Sequence, residues 1–108
     1  MFFPFMDYQT VDFDLDSNGS TVVYTTTQNC LIFFQQTQDF DFDGIGESVS
    51  IFVDDPWGGW QIFQANSNGD DFQHGNIQVI RAGIDIKANR VNEGFAGRLH
   101  IFKLPTSA

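Results

Sequence analysis

The feature of this chain that most limits its fold is an alternating acidic and apolar pattern that occurs twice. The pattern Gln-Thr-x-Asp-Phe-Asp-x-Asp begins at Gln9 and again at Gln36. In an extended chain, the three aspartates of the first copy share one face and Phe13 and Leu15 share the other. A glycine-bearing turn and a second alternating run, 21–27 or 48–54, follow each copy. Each copy therefore predicts a β-hairpin.

The composition supports an all-β domain. The chain has 108 residues and 42% apolar residues, which fits one folded domain. Thirteen Phe residues, many in alternation with polar ones, favour half-buried strands over helices. We predict a single antiparallel β-sandwich or jelly roll of about eight short strands. Residues 8–105 form this domain, 1–7 an apolar N-terminal arm, and 106–108 a tail.

Charge is distributed unevenly along the chain. The net charge is −9, which makes nucleic acid an unfavourable partner, and no run approaches the ~20 apolar residues of a membrane-spanning helix. Residues 1–80 contain 12 acidic residues and no Lys or Arg. The fold can place the basic C-terminal strands near the acidic ones, or subunits can pack basic on acidic surfaces. On the second alternative, interface residues are Arg81, Lys87 and Arg98.

The second acidic copy also resembles part of a calcium-binding loop. Asp39, Asp41 and Asp43 stand at alternate positions before a glycine turn, and Glu47 follows. These four residues are candidate Ca²⁺ ligands, although Ser50 stands where such a loop ends in a bidentate Glu. In a straight strand, alternate carboxylates would be ~6.6 Å apart and would form a solvated acidic face instead. The sequence favours the solvated acidic face, with Ca²⁺ as a candidate cofactor and none assigned with certainty.

Other candidate residues carry no catalytic motif. Trp57 and Trp60 flank two glycines and could hold a sugar, or they could pack on the core and an edge. His74 and His100 are isolated, and a surface or interface role suits them better than catalysis. Cys30 lies in an apolar run that predicts a buried thiol. We therefore expect no enzymatic activity.

The arm is a candidate assembly element. Its apolar side chains are too few to fold alone, and in water they would form an apolar patch of the kind that marks interfaces. They could also fold back over one end of their own sandwich. The residues concerned are Phe2, Phe3, Phe5 and Met6.

Three segments resemble a known family. SVSIFVDD (48–55), VIRAGIDIKA (79–88) and GRLHIFKLP (97–105) are similar in order to the C-terminal half of small trimeric β-sandwich domains of phage tail-fibre tips and virion knobs, which resemble C1q and tumour-necrosis-factor jelly rolls. The resemblance implies a homo-oligomer, with a trimer favoured, that contacts other virion proteins. It also implies a place in the virion. Because the single cysteine cannot form an internal disulfide, we expect assembly in the host cytoplasm.

Two functions follow as expectations. The first is a viral structural protein, such as a fibre tip, knob or capsid decoration protein, used in assembly or host attachment. The alternative is a carbohydrate-binding module, with or without calcium, that holds a surface glycan through Trp57, Trp60 and the 39–47 turn.

Overall fold

The computed structural model describes residues 7–40, 42, 44, 46–56, 58–67, 72–73 and 78–105, with 72, 73 and 78 described for their backbone alone. Nine strands and no helix occur within these ranges, which confirms the all-β prediction. The strands are β1 (Asp7–Leu15), β2 (Gly19–Thr25), β3 (Cys30–Gln36), β4 (Ser48–Asp54), β5 (Trp60–Asn66), β6 (Phe72–Gln73), β7 (Gln78–Ile80), β8 (Asp85–Val91) and β9 (Phe95–Lys103).

The strands form two antiparallel sheets that pack as a sandwich. The first sheet has the order β1-β9-β3-β7 and the second has the order β2-β8-β4-β5-β6. The chain crosses between the sheets after β1, β2, β3, β6, β7 and β8, which is the winding of a jelly roll. The predicted β-sandwich is therefore confirmed. Of the nine described strands, β6 is the shortest, with two residues.

The first predicted hairpin is wrong, because β1 and β2 belong to different sheets. β1 pairs with β9 along nine residues, and β2 pairs with β8. The Asn18-Gly19 turn between them connects the two sheets instead of closing a hairpin. Asn18 donates through Nδ2 to Oδ1 of Asn92 at 2.9 Å, and Asn92 N donates to Oδ1 of Asn18 at 2.8 Å. Gly19, with a φ of 117°, makes the bend that side chains disfavour.

The second predicted hairpin is also wrong. The described residues between β3 and β4 are not in strands, and they lead from the first sheet to the second. The rings of Phe40 and Phe42 are tilted against each other with centroids 5.3 Å apart, and the centroid of Phe40 lies 5.9 Å from that of Phe63 and 5.8 Å from that of Phe95. The alternation here places phenylalanines over one end of the core, because burial of two rings outweighs the loss of strand pairing.

The core lies between the inner faces of the sheets. Ile32, Leu99 and Ile101 come from the first sheet and contribute fully buried side chains. Opposite them lie fully buried residues of the second sheet: Val49, Ile51, Val53, Ile86 and Ala88. Cys30 is buried and free, as predicted, and burial raises the pKa of its thiol, which keeps it protonated and unreactive.

Gly97 is required where the aromatic end of the core is most tightly packed. Phe34 lies 5.7 Å from Phe95, and Phe13 meets Phe95 edge-on at 5.2 Å. A Cβ on Gly97 would collide with the ring of Phe34 and would lie 3.0 Å from Cζ of Phe13. The glycine in β9 therefore makes room for both rings.

We predict that Gly97→Ala lowers the free energy of unfolding by about 1–3 kcal/mol, because the added methyl overpacks this cluster. Gly94→Ala is the matched control, since its Cβ would meet Nε2 of Gln38 at 3.3 Å, the end of a flexible side chain. Urea denaturation followed by tryptophan fluorescence measures both. Equal destabilisation by the two substitutions would contradict the packing role of Gly97.

Candidate functional site

The outer face of the first sheet carries large apolar side chains, where polar side chains that contact solvent would be expected. The strand register aligns Tyr8 with Phe102, Phe102 with Leu31, and Leu31 with Val79, so that one row crosses all four strands. Tyr8 is 53% exposed and Val79 is 65% exposed. The buried residues Cys30, Ile32, Ile80 and Ile101 stand next to this row along β3, β7 and β9, so the row points outward.

A second row extends the same surface. Thr10 lies opposite His100, and His100 lies opposite Phe33. His100 and Phe33 are half-buried within the subunit. We call the apolar and aromatic residues of the two rows the aromatic face, and they are Tyr8, Leu31, Phe33, Val79, His100 and Phe102.

The four rings of the aromatic face stack against one another. Phe33 and His100 have centroids 4.6 Å apart and planes 10° apart, and Tyr8 and Phe102 have centroids 4.8 Å apart. The diagonal pairs, Tyr8 with His100 and Phe33 with Phe102, lie at 6.0 and 6.2 Å. Near-parallel rings this close are offset face to face, at about the spacing between strands. A molecule that approaches from above therefore meets mostly ring edges.

The polar atoms of the aromatic face bond to one another. The Tyr8 hydroxyl lies 2.6 Å from Nδ1 of His100, and Nε2 of His100 lies 2.7 Å from Oε1 of Gln35. Because an amide oxygen accepts, we assign the ring proton to Nε2, which leaves Nδ1 to accept from the Tyr8 hydroxyl. Both ring nitrogens are thus satisfied without a ligand, and the face offers mainly apolar surface.

One ion pair borders the aromatic face. Arg98 donates from Nε to Oδ1 of Asp12 at 2.6 Å and from Nη2 to Oδ2 at 3.3 Å. The hydrogen bond from Arg98 holds the pKa of Asp12 below its ordinary value. The pair is exposed and contributes little to stability, but it neutralises the row next to His100.

The other two predicted interface cations also make contacts within the subunit. Lys87 Nζ lies 2.8 Å from Oδ2 of Asp54, and Arg81 Nη2 lies 3.0 Å from Oδ1 of Asp55. The bond to Asp54 raises the pKa of Lys87. Of the two arrangements that the charge distribution allowed, pairing within the fold is therefore present. A role of Arg81, Lys87 and Arg98 between subunits stays a prediction.

The predicted calcium ligands fall only partly within the described residues. Asp39 is exposed, Glu47 is buried, and Asp41 and Asp43 lie outside the described ranges. A Cβ on Gly44 would lie 2.8 Å from Oε1 of Glu47, so this carboxylate sits close under the turn. Within the described part of the chain, no three potential metal ligands come together.

Local geometry removes one objection to calcium binding. The described positions of the 39–47 turn are not in a straight strand, so the ~6.6 Å spacing of alternate strand residues does not apply. The backbone of Glu47 is anchored on β5's end, since Glu47 N donates to Ser67 Oγ at 3.2 Å and Ser67 N donates to Glu47 O at 2.9 Å. The calcium prediction remains open.

The structure says less about the remaining candidate site residues. Trp60 begins β5 and is 37% exposed. Trp57, His74 and the arm residues lie outside the described part of the chain. The arm's site residues are Phe2, Phe3, Phe5 and Met6.

The comparisons with known proteins give no assignment. The chain matches no family model, and it has no match among curated proteins or among solved structures. The resemblance to virion knobs thus stays a prediction. In the described ranges, no helix is long and apolar enough to cross a membrane.

We predict that Arg98→Gln raises the pKa of Asp12 toward its ordinary value, because it removes the guanidinium that stabilises the carboxylate. A depressed carboxyl pKa stabilises the fold above about pH 3.9, and this contribution is lost as the pH falls through the lower folded value. Carboxyl carbon shifts followed by NMR measure the titration. An unchanged Asp12 titration in Arg98→Gln would contradict the ion pair.

We also predict that the 39–47 turn binds Ca²⁺, with backbone carbonyls and water completing the ligands. Asp41→Asn should reduce the affinity, whereas Asp14→Asn, the equivalent position of the first acidic copy, should leave it unchanged. Calorimetric titration of chelator-treated protein and melting curves measure binding. No heat and no rise in melting temperature at about 1 mM Ca²⁺ would leave a solvated acidic turn.

Proposed function

We propose that this chain is a non-enzymatic structural protein of a phage virion that works as a homo-oligomer, as a fibre tip, knob or capsid decoration protein in assembly or host attachment. The observation that carries the proposal is the aromatic face, an apolar surface that crosses a whole sheet. Contiguous exposed apolar surface of this kind is typical of protein interfaces. Jelly rolls also recur in capsid domains, which favours a virion by analogy of fold alone.

A second copy of the chain is the partner that fits the aromatic face best. The chain has a net charge of −9, so two copies repel each other over most of their surface. None of the six residues of the aromatic face is an acid, and the neighbouring Asp12 is neutralised by Arg98. Two copies can therefore approach through this face with little charge repulsion while they bury ring edges and apolar side chains.

The row that contains Arg98 adds complementarity to such a contact. Asp12 lies opposite Arg98 at the border of the face, and Asp14 follows in the next outward row, where it is exposed opposite Ala96. A cation next to two carboxylates offers both signs of charge to the same surface on another copy. A trimer is the order that the family resemblance favours, and a dimer would keep the interface while contradicting that resemblance.

The carbohydrate-binding alternative has one observation in its favour, the exposure of Trp60 at the start of β5. Sugars stack on the planes of aromatic rings, whereas the ring planes in the aromatic face are already stacked on each other. The amide oxygen of Gln35, beside the aromatic face, is already hydrogen-bonded to His100. Glycan binding would thus fall to Trp57, Trp60 and the 39–47 turn.

We predict that Phe33→Ser weakens self-association at least tenfold, about 1.4 kcal/mol, because it removes a central ring of the aromatic face. Phe52→Ser is the matched control, since Phe52 is a half-buried residue opposite Lys87 on the outer face of the second sheet. Sedimentation velocity over a concentration series measures the association, and circular dichroism confirms that each variant is folded.

Two results would contradict the proposal. A wild-type protein that stays monomeric at high concentration has no such interface. Equal effects of Phe33→Ser and Phe52→Ser would move the contact away from the first sheet. If the monomer binds glycans and loses this binding in Trp60→Ala, the carbohydrate-binding alternative is correct.

A further inference from the structure

We propose, on the basis of the assembly role proposed above, that His100 makes self-association through the aromatic face depend on pH. The neutral imidazole permits the contact between copies, and the imidazolium opposes it. A fall in pH across the range in which histidine titrates would then release the subunits.

His100 cannot be left out of a contact that uses the aromatic face. It lies on β9, an inner strand of the first sheet, with Phe33 on one side and β1 on the other. Its ring stacks on Phe33 at 4.6 Å and lies 6.0 Å from Tyr8. A second copy that covers these two rings also covers the imidazole between them.

The neutral form of His100 is ready for burial. Nδ1 accepts from the Tyr8 hydroxyl and Nε2 donates to Gln35, so both nitrogens keep partners when water is removed. Polar groups that are already hydrogen-bonded are buried at small cost, whereas unpaired ones are not. The hydrogen bonds within the subunit therefore let His100 enter an apolar interface.

The protonated form is much less suited to burial. Nδ1 would then donate, the Tyr8 hydroxyl would have to turn and accept, and a full charge would enter the contact. In the separate subunit, water and the flanking rings stabilise this charge. Removing the water on association disfavours the charged form, so association and protonation oppose each other.

The charged groups around His100 do not cancel this effect. On β1, the groups that face it are the Tyr8 hydroxyl and the carboxylate of Asp12, and on β9 the group is Arg98. The Asp12 carboxylate attracts the imidazolium, but Arg98 binds the same carboxylate through two hydrogen bonds, and its cation opposes this attraction. The outward residues of β3, Leu31, Phe33 and Gln35, and the outward Val79 of β7 are uncharged.

The test is sedimentation equilibrium of the full-length protein between about pH 8 and pH 5.5, the range of histidine titration. We expect the dissociation constant of the wild type to rise about tenfold at the lower pH, because water has to be removed from a charged imidazole on each associating copy. The variant His100→Gln has a neutral side chain that can still form hydrogen bonds, so it should associate nearly equally at about pH 8 and about pH 5.5. His74→Gln, which removes the other histidine, should keep the wild-type response.

The outcomes separate the two proposals. If the wild type associates equally at all pH values while Phe33→Ser still weakens it, the pH dependence is overturned and the assembly role stands. A monomer at every pH overturns both. If His100→Gln does not fold, the ring-proton NMR shifts of wild-type His100 decide, because they should change at a lower pH in the assembled protein than in dilute protein. Identical titration in both would overturn the inference.

Discussion

The structure depends most on the pairing of β9 with β1 on one side and β3 on the other. β9 is the last strand, and through these two ladders it joins the beginning of the chain to its middle. Its inward residues, Phe95, Leu99 and Ile101, are fully buried in the core, with Gly97 leaving space for two rings. Its outward residues, Arg98, His100 and Phe102, form the centre of the aromatic face and its charged border. One strand thus links the stability of the fold to the surface through which we propose that it assembles.

The fold class was predictable from the sequence, but the strand partners were not. Alternation and the abundance of phenylalanine predicted a β-sandwich because they depend on local geometry that every strand shares. The first hairpin prediction was wrong because an Asn-Gly turn fits both a hairpin and a crossover between sheets, and the choice depends on distant strand partners. Asn18 bonds to Asn92, and no feature near Asn18 indicates this. The second hairpin prediction was wrong for a related reason, because Phe40 and Phe42 gain more stability by packing on the core than by pairing in a strand.

The aromatic face could be predicted only in part. The run Leu31 to Phe34 is apolar at both parities, which is typical of a central strand, and β3 is an inner strand of the first sheet. The other components come from distant parts of the chain: Tyr8 and His100 are separated by 92 positions. Their meeting depends on the register between β1 and β9, which single-sequence patterns do not determine. The uneven charge distribution left open whether basic strands pair with acidic ones within the fold or between subunits, and Arg98 with Asp12 is a pair within the fold.

The central claim, that copies of this chain meet through the aromatic face, is tested most directly by NMR on a mixed sample. One half of the protein is labelled with ¹⁵N and ¹³C and the other half is unlabelled, and an isotope-filtered experiment records contacts between copies alone. Our account predicts intermolecular contacts to the ring protons of Phe33, His100 and Phe102 and to the methyl groups of Val79. Intermolecular contacts confined to the second sheet, for example to Phe52, would contradict it.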